Sequence, residues 1–109
     1  MREGTQEEGD NTMRILAIGQ LDPTKDPSAL MAQEGQRVYE LYDSGLITDM
    51  YWKTDNSGAV LILEADNLDQ AREQLGSLPM VQHGMTAFTY IPITPLASLL
   101  PRPQGAVTP

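Results

Sequence analysis

The sequence predicts an α+β fold in which four antiparallel β-strands form one sheet and two helices lie on one of its faces. Short apolar runs alternate with amphipathic stretches in the order strand, helix, strand, strand, helix, strand. A turn-rich segment separates the two halves of this pattern, as expected for a hairpin. The chain has 109 residues, which suits one domain with a single modest core.

The first half of the pattern contains a strand, a helix and a second strand. Residues 14–19 form a short apolar run, which is typical of a buried strand. A helix is expected over residues 27–44, because Asp26 is a suitable N-cap and Gly45 a suitable C-cap. Its apolar stripe contains Met31, Val38, Leu41 and Tyr42. Residues 47–54 alternate in polarity and predict the second strand.

The second half repeats the same order. Asp-Asn-Ser-Gly at residues 55–58 indicates a hairpin that leads into an apolar strand over residues 58–64. Asn67 is a suitable cap for a second helix over residues 68–77, and a fourth strand is expected over residues 86–93. The resulting βαββαβ order is that of a ferredoxin-like fold.

Two helices cover only one face of such a sheet, yet the sequence places apolar residues on both faces. In the third strand Leu61 and Leu63 point one way, while Val60 and Ile62 point the other. We therefore expect the chain to pair with itself through the second face, as a homodimer or higher homo-oligomer that forms a dimeric α/β barrel. The alternative is a monomer whose sheet faces solvent.

The two ends differ in composition from the domain, which we place at residues 13–95. Residues 1–12 are acidic and almost devoid of apolar side chains, so a disordered tail is expected. Translation starting at Met13 is an alternative for this segment. Residues 96–109 form a proline-rich extension, in which residues 96–100 are apolar enough to dock on a neighbouring subunit.

Composition excludes several classes of function. With 15 acidic residues against 7 Lys and Arg, the formal net charge is -8, which disfavours nucleic acid and membrane surfaces as partners. The chain has no cysteine and one histidine, so we expect neither a metal site nor a thiol nucleophile, and no motif predicts a cofactor. The N-terminal residues do not have the order of a secretory signal, and we expect a cytoplasmic protein.

Several segments together resemble a known family. They are residues 34–45, Tyr-Trp-Lys at 51–53, residues 58–64, Leu-Pro-Met at 78–80 and residues 91–96. In order and spacing they are similar to the muconolactone isomerase family and the related YciI-like small proteins of the dimeric α/β barrel superfamily. The resemblance implies a ferredoxin-like protomer that assembles through its sheet, with a small-molecule pocket between sheet and helices. The superfamily also includes cofactor-free monooxygenases.

Glu34 and His83 are the candidate catalytic residues. A carboxylate on the inner edge of the first helix removes a proton next to a carbonyl if burial raises its pKa. Glu34 lies three residues before Arg37, so a surface ion pair between them is the structural alternative. His83 lies in the loop before the last strand as a possible acid or base, and the alternative is an exposed loop histidine.

Arg37, Tyr51 and Lys53 are the candidate substrate-binding residues. Arg37 suits bidentate binding of a substrate carboxylate, Lys53 binding as a point charge, and Tyr51 an aromatic wall. Glu64, at the end of an apolar strand, is expected to line the pocket or to pair with Arg37 or Lys53.

Two kinds of function remain open from the sequence. One is a small cofactor-independent enzyme, an isomerase that moves a proton in a lactone-like or aromatic-derived metabolite, with a cofactor-free monooxygenase as its variant. The other is a noncatalytic homo-oligomeric module that binds a small molecule in the same pocket. They differ in whether Glu34 or His83 faces a closed cavity with a shifted pKa.

Overall fold

The computed structural model describes residues 12–103 and has the predicted α+β architecture. One antiparallel sheet contains the strands in the order β2-β3-β1-β4. The strands are β1 (Met13–Leu21), β2 (Ile47–Trp52), β3 (Ala59–Ala65) and β4 (Thr86–Ile93). The helices of the described chain are α1 (Met31–Asp43), α2 (Leu68–Leu75) and α3 (Pro79–Gln82). This order is that of a ferredoxin-like βαββαβ fold with one added helix, and it confirms the predicted fold class.

The added helix α3 corrects the expectation of two helices. Leu78 is its N-cap and Pro79 occupies the first turn, where a missing N–H costs nothing. The sequence pattern predicted one helix over residues 68–77 and no further helix before the fourth strand. In the structure α2 ends at Leu75, and Pro79 is the first residue of a separate helix.

The start of α1 also differs from the prediction. Residues Ser28–Leu30 form a 3-10 turn, and the α-helix begins only at Met31. Asp26 Oδ1 accepts hydrogen bonds from the Ser28 N–H at 3.0 Å and the Ser28 hydroxyl at 2.6 Å. Asp26 therefore fixes the 3-10 turn and does not cap α1. The predicted cap of α2 is confirmed, since Asn67 Oδ1 accepts from the Gln70 N–H at 2.7 Å.

The core lies between the helices and one face of the sheet. The pairs Ile15–Leu63 and Ala17–Leu61 place buried side chains of the two central strands next to each other. The helices cover them with buried leucines, which are Leu41, Leu75 and Leu78. Packing of these apolar surfaces is what holds α1 and α2 on this face.

The opposite face of the sheet, here called the outer face, is also apolar. Its central part is formed by Leu16, Ile18, Val60, Ile62 and Ile91, which pair across β1, β3 and β4. These side chains are partly exposed, and Ile91 is 41% exposed. The expectation that two faces of the sheet are apolar is thus met, while the homodimer itself stays a prediction.

The predicted end segments lie largely outside the described residues. Of the expected acidic tail, residues 1–11 fall outside them, as do residues 104–109 of the C-terminal extension. After β4 the chain forms a short 3-10 turn (Leu96–Ser98), and Leu96, Leu99 and Leu100 are exposed. No helix within residues 12–103 is long and apolar enough to cross a membrane.

Candidate active site

A pocket lies between α1 and the helix-covered face of the sheet. It consists of two adjoining hollows of about 300 Å³ and about 400 Å³. The two hollows share five lining residues, which are Glu34, Val38, Trp52, Ala59 and Phe88. A volume of this size suits a small organic molecule.

One wall of this pocket depends on a small residue in β1 that lies opposite a large residue in β4. Gly19 lies opposite Phe88 in the register, and a Cβ atom at Gly19 would be 2.9 Å from the Phe88 ring. Because Gly19 has no side chain, the Phe88 ring lies against the strand backbone and forms part of the pocket wall. Trp52, at the end of β2, lines the pocket as well, and its ring N–H donates to Asn56 Oδ1 at 2.9 Å.

Glu34 is the one acidic or basic side chain among the residues that line the two hollows. It lies on the first turn of α1, and its Oε1 accepts a hydrogen bond from the Met80 N–H at 2.9 Å. Met80 is in the first turn of α3, so the Glu34 side chain caps that helix although the two residues are 46 positions apart in the sequence. Within residues 12–103, no protein donor meets the second carboxylate oxygen, Oε2.

Burial of Glu34 among apolar residues raises the pKa of its carboxyl group, because the charged form loses hydration there. The Met80 N–H stabilises the charged form and offsets part of this rise. A carboxyl group with a raised pKa and one free oxygen in an apolar pocket is suited to accept and return a proton.

Arg37 lies outside this pocket. Its guanidinium donates to Ser77 Oγ at 2.8 Å, to Glu40 Oε1 at 3.0 Å and to Gln74 Oε1 at 3.3 Å. These contacts tie α1 to the end of α2. The ion pair that the sequence suggested between Glu34 and Arg37 is replaced by one between Arg37 and Glu40.

The other candidate residues are dispersed. Lys53 Nζ donates to Gln20 Oε1 at 3.3 Å and does not line the pocket. Tyr51 lines the smaller hollow and is 60% exposed. His83, at the end of α3, is exposed, and its Nδ1 lies 2.9 Å from the Pro79 carbonyl oxygen. Of the five candidates, the structure brings only Glu34 and Tyr51 to the same hollow.

Glu64 has a different partner from those expected. Its carboxylate pairs with Arg14 on the neighbouring strand, with Oε2 at 2.6 Å from Arg14 Nε, because these residues are register partners in the sheet. The expectation of a pair with Arg37 or Lys53 was wrong. Glu64 lines a separate polar hollow and not the Glu34 pocket.

Sequence reasoning missed the group that contacts Glu34, since it is the backbone N–H of Met80. Proline at position 79 is the signal that marks a helix start there and hence free N–H groups. Within the described part of the chain, no cluster of three or more His, Cys, Asp or Glu side chains has the arrangement of a metal site.

No protein-family model matches the chain, and no curated protein sequence matches it. The function must therefore be inferred from the pocket and its chemistry.

A pH-dependent stability difference is expected at Glu34. Since the native carboxyl group has a raised pKa, the folded chain holds a proton at pH values where the unfolded chain has lost it. Its contribution to stability is most favourable below the ordinary pKa of 4.5 and declines as the pH rises through the native pKa. The free energy of unfolding of Glu34→Gln should therefore rise relative to that of the wild type as the pH increases above 4.5, as measured by urea unfolding.

The matched control for this measurement is Glu73→Gln, which makes the same chemical change at an exposed position of α2. Its effect should vary less with pH than that of Glu34→Gln. If the free energy of unfolding of Glu34→Gln instead falls relative to that of the wild type as the pH rises, the carboxyl group is not desolvated in the folded protein.

Proposed function

We propose that this protein is a small cofactor-independent enzyme that moves a proton within a lactone-like or aromatic-derived molecule, with Glu34 as the base. The observation that supports this is the position of Glu34 as the sole ionisable carboxylate in an apolar pocket, with a raised pKa and Oε2 free of protein donors. The resemblance to muconolactone isomerases points to the same reaction type.

The reaction needs no second reactant. Glu34 removes a proton from the carbon between a carbonyl and a carbon–carbon double bond, and the electrons delocalise into a dienolate. The protonated Glu34 then returns the proton to the far end of the former double bond, which shifts into conjugation with the carbonyl. The Met80 N–H stabilises the carboxylate between turnovers and fixes its orientation.

The proposal is tested with α-angelica lactone, a small lactone whose double bond is not conjugated with its carbonyl. In D₂O the protein should convert it to the conjugated isomer faster than buffer does, as observed by proton NMR. Deuterium enters the new carbon–hydrogen bond only to the extent that the proton on Glu34 exchanges with solvent before it is returned. Buffer without protein is the control, because this lactone also isomerises slowly by itself. A rate equal to that of buffer would contradict the proposed reaction.

A noncatalytic binding module is the second candidate. The hydrogen bond from the Met80 N–H to Glu34 supports this candidate, because a carboxylate that holds α3 against α1 is needed for the fold even if it catalyses nothing. A module of this kind would bind lactones or phenols in the pocket without isomerising the lactone faster than buffer does. Both candidates use the same pocket, and the NMR measurement separates them.

We also propose that the protein acts as a homodimer, or a higher homo-oligomer, built through the outer face. The partner that this face suits is a second copy of the chain, which offers the same apolar surface of Leu16, Ile18, Val60 and Ile62. The ion pair between Arg14 and Glu64 at one end of the face is neutral as a pair, so it adds no like-charge repulsion between two copies. Burial of two such faces removes apolar surface from water.

The substitution Ile62→Lys is expected to separate the copies. Ile62 lies next to Leu16 at the centre of the outer face, and in a two-fold dimer each copy would bring its own lysine into the interface. Analytical ultracentrifugation should show a dimer or larger species for the wild type and a folded monomer for the variant.

Tyr39→Lys is the matched control for this experiment. Tyr39 is 60% exposed on α1, so the same kind of change there should leave the sedimentation unchanged. A wild-type protein that sediments as a monomer would contradict the proposed assembly.

A further inference from the structure

We propose that the Glu34 pocket accepts uncharged, largely apolar molecules and excludes carboxylates. This inference rests on the proposed function, since it names the class of substrate for the same pocket. It departs from what Arg37 and Lys53 suggested in the sequence, namely a site for an anionic group.

The charges around the pocket carry the inference. Glu34 contributes one negative charge to the lining, and no Lys, Arg or His among residues 12–103 lines either hollow. The remaining lining is mostly apolar, with Val38, Met80 and Phe88 in the larger hollow. A substrate carboxylate would therefore lie near another carboxylate, with no basic side chain in the lining to offset the repulsion between the two charges.

The basic residues that the sequence offered are engaged elsewhere. Arg37 uses three nitrogen atoms to bind Ser77, Glu40 and Gln74. Turning it towards the pocket would break the contacts between α1 and α2. Lys53 is bound to Gln20 outside the lining. Among the residues that line the two hollows, an anionic substrate thus meets no basic counter-ion.

A cation fits the larger hollow poorly as well. A buried ammonium ion needs several acceptors to replace its lost water. Among the side chains that line the larger hollow, the oxygen acceptors are the Glu34 carboxylate and the Thr86 hydroxyl, which also donates to the Gln20 carbonyl oxygen. Two such side chains replace only part of the hydration that an ammonium ion loses. The molecule that the pocket suits is therefore a neutral ring of modest size, held between Trp52 and Phe88 with its reactive carbon towards Glu34.

The test compares three probes of similar shape that differ in charge: phenylacetamide, phenylacetate and phenethylammonium. Trp52 is the single tryptophan of the chain and lines both hollows, so its fluorescence reports on binding. Phenylacetamide should bind at least about tenfold more tightly than phenylacetate, and more tightly than phenethylammonium. In Glu34→Gln the ratio of the dissociation constants of phenylacetate and phenylacetamide should fall by at least about fivefold, because the charge that repels phenylacetate is gone.

Two outcomes would contradict selectivity for neutral molecules. Phenylacetate or phenethylammonium binding as tightly as the amide would show that the pocket is not selective for neutral molecules. A failure of phenylacetamide to bind would show that the pocket does not take such rings. Binding of the amide without isomerisation of α-angelica lactone would instead leave this inference intact and contradict only the proposed reaction.

Discussion

Replacing Glu34 with glutamine should lower the rate of lactone isomerisation by about 100-fold to 10,000-fold, the range typical of a lost general base. Glutamine has nearly the same shape, and its amide oxygen can still accept the hydrogen bond from the Met80 N–H. The variant therefore keeps the cap on α3 and loses only the ability to take a proton. The loss should appear in kcat, as measured by NMR in D₂O, while neutral ligands still bind.

Two controls make this result interpretable. Glu73→Gln changes an exposed carboxylate on α2 and should retain the wild-type rate. Glu34→Ala removes both the base and the acceptor for the Met80 N–H, so it should lower the rate and also weaken the packing of α3. A Glu34→Gln variant with unchanged kcat would show that the carboxylate has only its structural task.

The sheet was predictable because its strands are patterned locally. In β3 the alternation of Leu61 and Leu63 with Val60 and Ile62 matches the buried and partly exposed positions of the structure. The cap of α2 was predictable for a similar reason, since an asparagine side chain reaches its own helix start. Signals that act within a few residues are readable from sequence.

The arrangement of the candidate site depends on contacts between distant parts of the chain. Glu34 and Arg37 are one turn apart on α1, yet one faces the pocket and α3 while the other binds Ser77 and Gln74. Spacing indicates that two side chains are near each other but not which neighbour each one binds. That choice depends on where α2 ends and α3 begins, and the sequence pattern does not show the break between these two helices.

Gly58→Ala is expected to be strongly destabilising, by about 3 kcal/mol or more. Gly58 has a φ of +154°, and a Cβ atom there would lie 2.2 Å from the Gly19 carbonyl oxygen. Gly19 is in the central strand β1, and Gly58 directly precedes β3 at the end of the hairpin connection, where the Lys53 N–H donates to its carbonyl oxygen at 2.9 Å. Neither backbone can move away without breaking the hairpin between β2 and β3. Urea unfolding monitored by circular dichroism measures the loss, against a total stability of about 5–15 kcal/mol for a domain of this kind.

Gly35→Ala is the matched control, because the same chemical change should there have the opposite sign. Gly35 lies inside α1, and an added Cβ meets no atom within 4 Å. Alanine is the better helix former by about 1 kcal/mol, so this variant should be more stable than the wild type. The contrast between the two variants separates the close approach of Gly58 and Gly19 from any general effect of an added methyl group. Equal unfolding midpoints for Gly58→Ala and the wild type would show that β3 and β1 do not approach so closely.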